Sequence, residues 1–264
     1  MLLAIDVGNT NIVLGVFDGE RLAESWRLAT MRERTADEAG ILVTHLFERS
    51  RIPLERVDGI ILSSVVPPLT RTMEEMAERF FGRTPLTVDP GMNTGMPVLY
   101  SPPSDVGADR VVNAVAAYEA YGRAAQTPVI VVDFGTATTF DAISATGEYI
   151  GGVICPGIGI SADALFQRAA RLPRVDVRKP PAVIGRTTVT SMQSGLFFGY
   201  VAMVDGMVAR MRVELDKGDR AACIATGGMA SIIAGESAAI QRVDPDLTLN
   251  GLRLVWARNS GAKS

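Results

Sequence analysis

The spacing of apolar and polar residues divides the first thirty positions into three short strands. Apolar runs at residues 2–7, 12–17 and 22–28 are separated by polar or glycine-containing turns. Asp18 and Gly19 form a typical tight-turn pair between the second and third runs. The pattern therefore predicts a three-stranded meander at the start of the chain.

Longer apolar periods follow the meander and predict helices that alternate with buried strands. Thr35 and Glu38 have the spacing of a capping box, so we expect a helix to begin there and to end before Pro53. A strand at residues 59–66, a helix at 70–81 and a strand at 86–88 complete the order β-β-β-α-β-α-β. This order resembles a ribonuclease-H-like lobe.

The opening pattern occurs a second time, about halfway along the chain. Asp133 and Gly135 in residues 131–141 correspond to Asp6 and Gly8. A second turn glycine follows each aspartate, by 13 residues in the first copy and by 14 in the second, directly before another apolar strand. The repeat predicts an α/β protein of two duplicated lobes, at residues 1–110 and 111–264, each a mixed sheet flanked by helices.

The turn of each repeat has the residues that an anionic phosphate group requires. Gly8 lets a backbone approach an anion closely, Asn9, Thr10 and Asn11 offer donors, and Asp6 can hold a hydrated cation. A single copy would also be explained by ordinary turn chemistry. The duplicated hairpin, however, resembles the phosphate signature of the acetate kinase, sugar kinase, Hsp70 and actin superfamily.

A second concentration of reactive groups precedes the alanine-rich helix that is predicted to run to about Tyr121. Gly107, Ala108, Asp109 and Arg110 would place a carboxylate and a guanidinium at a helix start. Such a pair can offer one substrate both a base and an anion clamp. The alternative is a helix cap with a local salt bridge.

Two nucleotide-binding motifs are excluded. Residues 157–162 satisfy the loose dinucleotide pattern G-x-G-x-x-A, but they end a meander, and no acidic residue follows about 20 positions later at a strand end. We interpret these glycines as sites where a backbone approaches the substrate or the neighbouring hairpin. The Walker A pattern does not occur in the sequence.

The last hundred residues yield three further expectations. The predicted helix at residues 192–215 carries more apolar side chains than one face can hold, so we expect it to pack against a partner chain as well as its own sheet, or else to be a central core helix. Residues 226–230 predict a turn on which a flat ligand such as adenine can rest. A final strand is expected at residues 249–256.

The net charge, the cysteine and histidine content and the lengths of the apolar runs argue against several classes of function. The net charge of −3 and the pI near 5.4 argue against a general binder of nucleic acid or anionic membranes. Cys155 and Cys223 lack ligand spacing, which argues against a zinc site or a disulfide framework, and His45 has no catalytic partner nearby. With no apolar run of bilayer length, a cytoplasmic protein is expected.

The joint order of these motifs resembles that of the type III pantothenate kinases over nearly the full chain. The motifs lie at residues 6–11, 107–110, 133–139, 151–159, 184–189 with 193–195, and 226–229. The resemblance implies ATP-dependent phosphorylation of pantothenate to 4′-phosphopantothenate, the first step of coenzyme A biosynthesis, by a homodimer.

The resemblance also implies roles for individual residues. Asp109 would be the catalytic base, Asp133 would bind a monovalent cation, K⁺ or NH₄⁺, and Asp6 would hold Mg²⁺ through water. The ATP-binding residues would be Asp6, Val7, Gly8, Asn9, Thr10, Asn11, Ile12, Val13 and Thr136. The pantothenate-binding residues would be Tyr100, Gly107, Ala108, Asp109, Arg110 and Thr188.

Two alternative functions stay open at this point. One is another kinase of the same superfamily, acting on acetate or a sugar, against which the segment at Asp109 and the segment at Thr188 argue. The other is a nucleotide-binding regulatory protein without kinase activity. The joint presence of Asp6, Asp109 and Asp133 argues against that role, because a sensor needs no base at an acceptor site.

Overall fold

The predicted meander forms one side of a five-stranded sheet. The computed structural model describes residues 1–216 and 220–261. The strands of this sheet are β1 (Leu2–Val7), β2 (Asn11–Asp18), β3 (Arg21–Ala29), β4 (Gly59–Ser64) and β5 (Leu86–Thr87). Strand β2 is antiparallel to both β1 and β3, β4 is parallel to β1, and β5 is parallel to β4. The strand order is β3-β2-β1-β4-β5.

Three helices, α1 (Ala36–Arg49), α2 (Pro67–Phe81) and α3 (Ala108–Ala117), accompany the first sheet. The capping box at α1 is confirmed, because Thr35 and Glu38 each accept a hydrogen bond from the other's backbone N–H. Helix α2 begins three residues earlier than predicted, since proline in the first turn of a helix sacrifices no intrahelical hydrogen bond.

The second sheet repeats the order of the first. Its strands are β6 (Val129–Phe134), β7 (Ala137–Ile143), β8 (Tyr149–Pro156), β9 (Ala222–Gly227) and β10 (Arg242–Val243). The three-stranded meander β6-β7-β8 is followed by parallel strands β9 and β10, in the order β10-β9-β6-β7-β8. Strands β1 and β6 share the same order of buried and half-buried positions. The predicted duplicated α/β fold is therefore confirmed.

The long helix of the second half is a core helix of its own sheet. Helices α4 (Ile158–Arg168), α5 (Thr188–Asp216) and α6 (Ala230–Ala234) pack around β6 to β9. The side chains of Phe197, Val204 and Val208 on α5 are fully buried. The burial of α5 therefore favours the interpretation as a central core helix over a helix that also packs against a partner chain. Most of its apolar surface is buried within the second half of the chain.

The last element is a helix, so the expected strand at residues 249–256 is wrong. Helix α7 (Leu247–Asn259) buries Leu249, Leu252 and Val255, which are spaced three residues apart, as in one face of a helix. It packs on β1, β2 and β4 of the first sheet. The spacing of three residues between buried apolar side chains therefore fits a helix and not the expected strand.

The chain forms two compact units. One comprises Met1–Ala116 and Leu247–Ser264, and the other comprises Ala117–Asp246. The predicted division between residues 110 and 111 did not anticipate that α7 joins the first sheet. No helix in the described ranges is both long enough and apolar enough to cross a bilayer.

Candidate functional site

The tip of the β1–β2 hairpin is fixed by its own backbone and by one threonine. Gly8 N donates to Asn11 O at 3.0 Å, and a Cβ added to Gly8 would lie 3.1 Å from the same oxygen. Thr30 donates from its Oγ1 to Gly8 O at 2.7 Å and from its backbone N–H to Thr10 O at 3.0 Å. The sequence reasoning missed Thr30. The tip is thereby held so that Asn9 and Thr10 remain exposed.

The hairpin residues differ in what they can offer a ligand. Val7 and Ile12 are buried in the core of the first unit, so they can contribute backbone groups only. Asp6 is half-buried near the end of β1, where it is paired in register with Val13 on β2 and Ser63 on β4. Ser63 is fully buried, and its hydroxyl has no hydrogen-bond partner within the described part of the chain. Ser63 is a second residue that the sequence reasoning missed.

The β6–β7 hairpin of the second unit places Asp133 against bare backbone. Asp133 is half-buried and paired in register with Thr139 on β7 and Thr226 on β9. Gly227 has a φ of +90°, and a Cβ there would lie 2.5 Å from Asp133 Oδ1 and 2.7 Å from the backbone of Phe134. Only glycine therefore fits. A carboxylate oxygen is a ligand that a hard cation prefers.

The tip of this second hairpin rests on the start of α4. A Cβ added to Gly157 would lie 2.1 Å from Thr136 O and 2.8 Å from Gly135 O, whereas one added to Gly159 would have nothing within 4 Å. Strand β8, which precedes Gly157, is antiparallel to β7. The interpretation of these glycines as an approach to the neighbouring hairpin is confirmed at Gly157, and the segment is not a dinucleotide-binding turn.

Asp109 lies in the first turn of α3 with a perturbed carboxyl group. Burial raises its pKa, and the backbone N–H and guanidinium of Arg110 oppose this shift in part. The N–H of Arg110 donates to Asp109 Oδ1 at 2.8 Å. Gly107 allows this approach, because a Cβ there would lie 2.6 Å from the same oxygen. A carboxylate with a raised pKa is a better proton acceptor than an ordinary aspartate.

A cavity of about 240 Å³ adjoins the segment that carries Asp109. It shares Ala108 with the predicted acceptor segment, whereas Tyr100, Gly107, Asp109 and Arg110 are not among its wall residues. Most of the wall is apolar. The wall residues are Val88, Asp89, Pro90, Met92, Thr94, Met96, Val98, Pro103, Val106, Ala108 and Val111.

The described residues contain no group of three or more histidine, cysteine, aspartate or glutamate side chains that could hold a metal ion alone. A cation at Asp6 or Asp133 would therefore complete its ligand shell with phosphate, water or backbone oxygens. Mg²⁺ is commonly held in this way, through one or two carboxylates together with substrate phosphates. The donor atoms at both hairpins fit that pattern.

Sequence comparison identifies the family. A profile of the family described as type III pantothenate kinase matches residues 2–210. A type III pantothenate kinase of Myxococcus xanthus is 58% identical, over 98% of this chain and 99% of its own. One of Geobacter sulfurreducens is 55% identical over the same shares. The chain belongs to the type III pantothenate kinase family.

Solved structures agree on the fold of this family member. A Baf family protein from Campylobacter jejuni, described as a transcriptional activator, superposes with a TM-score of 0.60 at 18% identity, over 98% of each chain. Component A of the (R)-2-hydroxyglutaryl-CoA dehydratase of Acidaminococcus fermentans gives a TM-score of 0.53 at 15% identity, over 99% of each chain. At these identities the likeness concerns the fold alone.

The predicted site residues of this type III pantothenate kinase family member fall into both units. Those at the first hairpin, Tyr100 and the segment at Asp109 lie in the first unit, while Asp133, Thr136 and Thr188 lie in the second. Thr136 is exposed at the tip of its hairpin, and Thr188 is exposed as the first residue of α5.

The segment before Thr188 is fastened to α5 by two buried polar side chains. Gln193 Nε2 donates to Asp176 O at 3.2 Å, and Ser194 Oγ donates to Val183 O. Both side chains are more than nine-tenths buried. The 193–195 motif thus has a local structural role, which the sequence pattern alone did not disclose.

Proposed function

We propose that this protein transfers the γ-phosphoryl group of ATP to the primary hydroxyl of pantothenate, giving 4′-phosphopantothenate, the first step of coenzyme A biosynthesis. Family membership and the duplicated hairpin fold support the reaction. The observation that carries the assignment of roles is the half-buried Asp109, with its raised pKa, beside Arg110 at a helix start. A regulatory role without catalysis explains neither group.

Asp109 accepts the proton of the attacking hydroxyl in this proposal. Phosphoryl transfer needs little covalent help from the protein, so a positioned base and charge stabilisation supply most of the rate. Arg110 is only 9% exposed, which suits a guanidinium that orients one anionic group of the acceptor. The carboxylate of pantothenate is such a group.

The hairpins bind ATP through different atoms. The side chains of Asn9, Thr10 and Asn11, together with backbone groups of residues 6–13 that the pairing of β1 with β2 does not use, hold phosphate oxygens. Val7 and Ile12 anchor the hairpin in the core of the first unit. Thr136 offers a hydroxyl at the tip of the second hairpin. Magnesium, when bound with ATP, neutralises phosphate charge, and Asp6 would hold it through water.

Asp133 binds the monovalent cation in this proposal. Its carboxylate faces backbone at Gly227, and the cation would balance phosphate charge without entering the reaction. Asp133→Asn is expected to abolish the potassium dependence of turnover, since a neutral amide binds a cation weakly. A potassium titration of the variant with the same midpoint and amplitude as the wild type would refute this role.

We also propose that the protein acts as a homodimer. Large apolar side chains are exposed along one stretch of the second unit, from β8 to the segment before α5, among them Ile154, Ile160, Phe166 and Ile184. Ile184 is 84% exposed and Ile154 is 63% exposed. Exposed apolar surface of this density is typical of an interface.

A cytoplasmic location fits these substrates. Cys155 and Cys223 are both free thiols. Burial raises the pKa of Cys223 to about 12, so that thiol is unreactive. Free cysteines are typical of reducing compartments.

The decisive assay measures ADP release by the purified protein with ATP, magnesium and pantothenate, in potassium and again in sodium alone. Turnover that depends on pantothenate and is faster in potassium supports both the acceptor and the cation. Measurable ATP binding without pantothenate-dependent turnover would refute the acceptor. Acetate and a hexose in place of pantothenate serve as controls for the other kinases of the superfamily.

A further inference from the structure

Helix α7 contacts three parts of the first unit that the proposed function uses. It lies on the sheet that carries Asp6, beside the helix that carries Asp109, and against the loop that lines the cavity. Its last turn contains Arg258 and Asn259. Neither residue belongs to the catalytic or binding set proposed above.

The body of α7 is locked to the first sheet. A Cβ added to Gly15 on β2 would lie 2.7 Å from Leu249 Cδ1, and one added to Gly59 on β4 would lie 2.2 Å from Trp256 Cζ2. These two glycines leave the space that the leucine and the tryptophan fill. The helix therefore has one fixed position relative to β1, which lies between these strands and carries Asp6.

The first turns of α7 also hold α3. Thr248 Oγ1 donates to Asn113 Oδ1 at 2.7 Å, and Asn113 is only 1% exposed. A Cβ added to Gly251 would lie 2.2 Å from Val112 O, so the two helices touch through backbone. Asn113 lies one helical turn after Asp109, which means that α7 fixes the helix on which the proposed base depends.

The last turn of α7 binds the cavity loop, residues 89–98, through its backbone. Asn259 Nδ2 donates to Asn93 O at 2.8 Å, and Asn93 N donates to Asn259 Oδ1 at 3.3 Å. Arg258 donates to Thr94 O. Gly95, at φ +68°, leaves room for that guanidinium, because a Cβ there would lie 2.9 Å from Arg258 Cζ.

The cavity connects this loop to the segment at Asp109. Thr94 and Met96 form part of the wall, and Ala108 and Val111 of α3 form another part. Thr94 Oγ1 donates to Met96 O at 3.2 Å, so a displacement at Thr94 is passed to Met96. Loss of the contacts with α7 would therefore change the wall next to the proposed acceptor segment.

We propose that Asn259 and Arg258 are positioning residues for the acceptor: by holding the backbone of residues 93 and 94, they fix the cavity loop against the first turn of α3 and so set the affinity for pantothenate. The proposal rests on the proposed function for the identity of the acceptor. ATP meets the protein through the two hairpins, so its affinity is independent of this contact.

The test compares Asn259→Ala with a control variant, Asn250→Ala, which makes the same change earlier on the same helix. Within the described residues, the side chain of Asn250 has no hydrogen bond to the cavity loop. Asn259→Ala is expected to raise KM for pantothenate roughly five- to tenfold, as loss of the two hydrogen bonds to the cavity loop predicts. KM for ATP and kcat at saturating pantothenate stay within about twofold. Hydrogen exchange of residues 89–98 accelerates, while Asn250→Ala matches the wild type in every measurement.

Three results would overturn the proposal. One is unchanged exchange of residues 89–98 in Asn259→Ala, and another is faster exchange with an unchanged KM for pantothenate. The third is a rise in KM for both substrates together with a lower kcat and a lower Tm, which indicates general destabilisation. If the wild type lacks pantothenate-dependent turnover, the proposed function fails instead, and the exchange measurement still decides whether Asn259 holds the loop.

Discussion

Among single residues, Asp109 carries the most specific prediction about activity. Asp109→Asn removes the proton acceptor but keeps the size of the side chain, so kcat is expected to fall by a factor of about 10²–10⁴, the usual contribution of a general base. The dissociation constant for ATP, measured by calorimetry, should stay within about twofold. The carboxylate of Asp109 accepts a hydrogen bond from the N–H of Arg110, at the start of its own helix.

A matched control for this substitution lies four residues earlier. Asp105→Asn makes the same change at an exposed carboxylate in the short 3₁₀ turn Pro103–Asp105, and its kcat is expected to equal that of the wild type. If Asp109→Asn weakened ATP binding as much as it slowed turnover, Asp109 would be a structural residue and not the base.

The raised pKa of Asp109 also predicts how this residue affects stability. Burial raises the pKa in the folded state, so the folded protein binds the proton more tightly than the unfolded chain does. The ionised carboxylate therefore opposes folding above its raised pKa, and this cost vanishes as the pH falls through that pKa. Asp109→Asn should raise Tm at pH 8, and this gain should shrink once the pH falls below the raised pKa of Asp109. A lower Tm for the variant at pH 8 would contradict this.

The sequence predicts Asp109 but not the residues that support the hairpins. Asp109 belongs to a local motif, residues 107–110, and the chemistry of that motif can be predicted from four consecutive residues. Thr30 reaches Gly8 across 22 positions, and Ser63 lies beside Asp6 only because β4 pairs with β1. Contacts of this kind depend on strand register, which is set by the packing of the whole sheet rather than by local sequence.

At the scale of elements, the contact between α4 and the second hairpin can be tested with a pair of glycines. Gly157→Ala forces the Thr136 carbonyl to move, so kcat/KM for ATP should fall roughly ten- to a hundredfold, the effect of a displacement of about 1 Å at a site. Gly159→Ala adds the same methyl group where nothing lies within 4 Å, and its kcat/KM for ATP should be unchanged. Equal kinetics in both variants would show that the hairpin tip does not contact ATP.

Helix α7 shows why some elements were predicted and others were not. The capping box of α1 is a local signal and identified its helix correctly. A strand was expected at residues 249–256. Burial of Leu249, Leu252 and Val255 against the first sheet determined a helix instead, because tertiary packing overrides local propensity. Nothing local revealed that the last element returns to the first unit.

For the whole molecule, the duplication was the most reliable prediction. Asp6 and Asp133 are both half-buried, each on the first strand of a meander and each beside a parallel strand. A repeated motif constrains two copies at once, so a chance resemblance is less probable than for one copy. The close contacts at Gly157 and Gly227 in the second unit could not be predicted from the motif, because they depend on distances that only the folded chain defines.

The proposed homodimer is a property of the whole molecule. Ile184 is 84% exposed, so Ile184→Asp cannot disturb the core, but in a symmetric interface it would bury two unpaired charges. Light scattering after gel filtration should show a dimer for the wild type and a monomer for Ile184→Asp, with the same Tm. Ile41→Asp, at a 65% exposed isoleucine of the first unit, should remain dimeric. If both variants stayed dimeric, the exposed apolar stretch of the second unit would lie outside the interface.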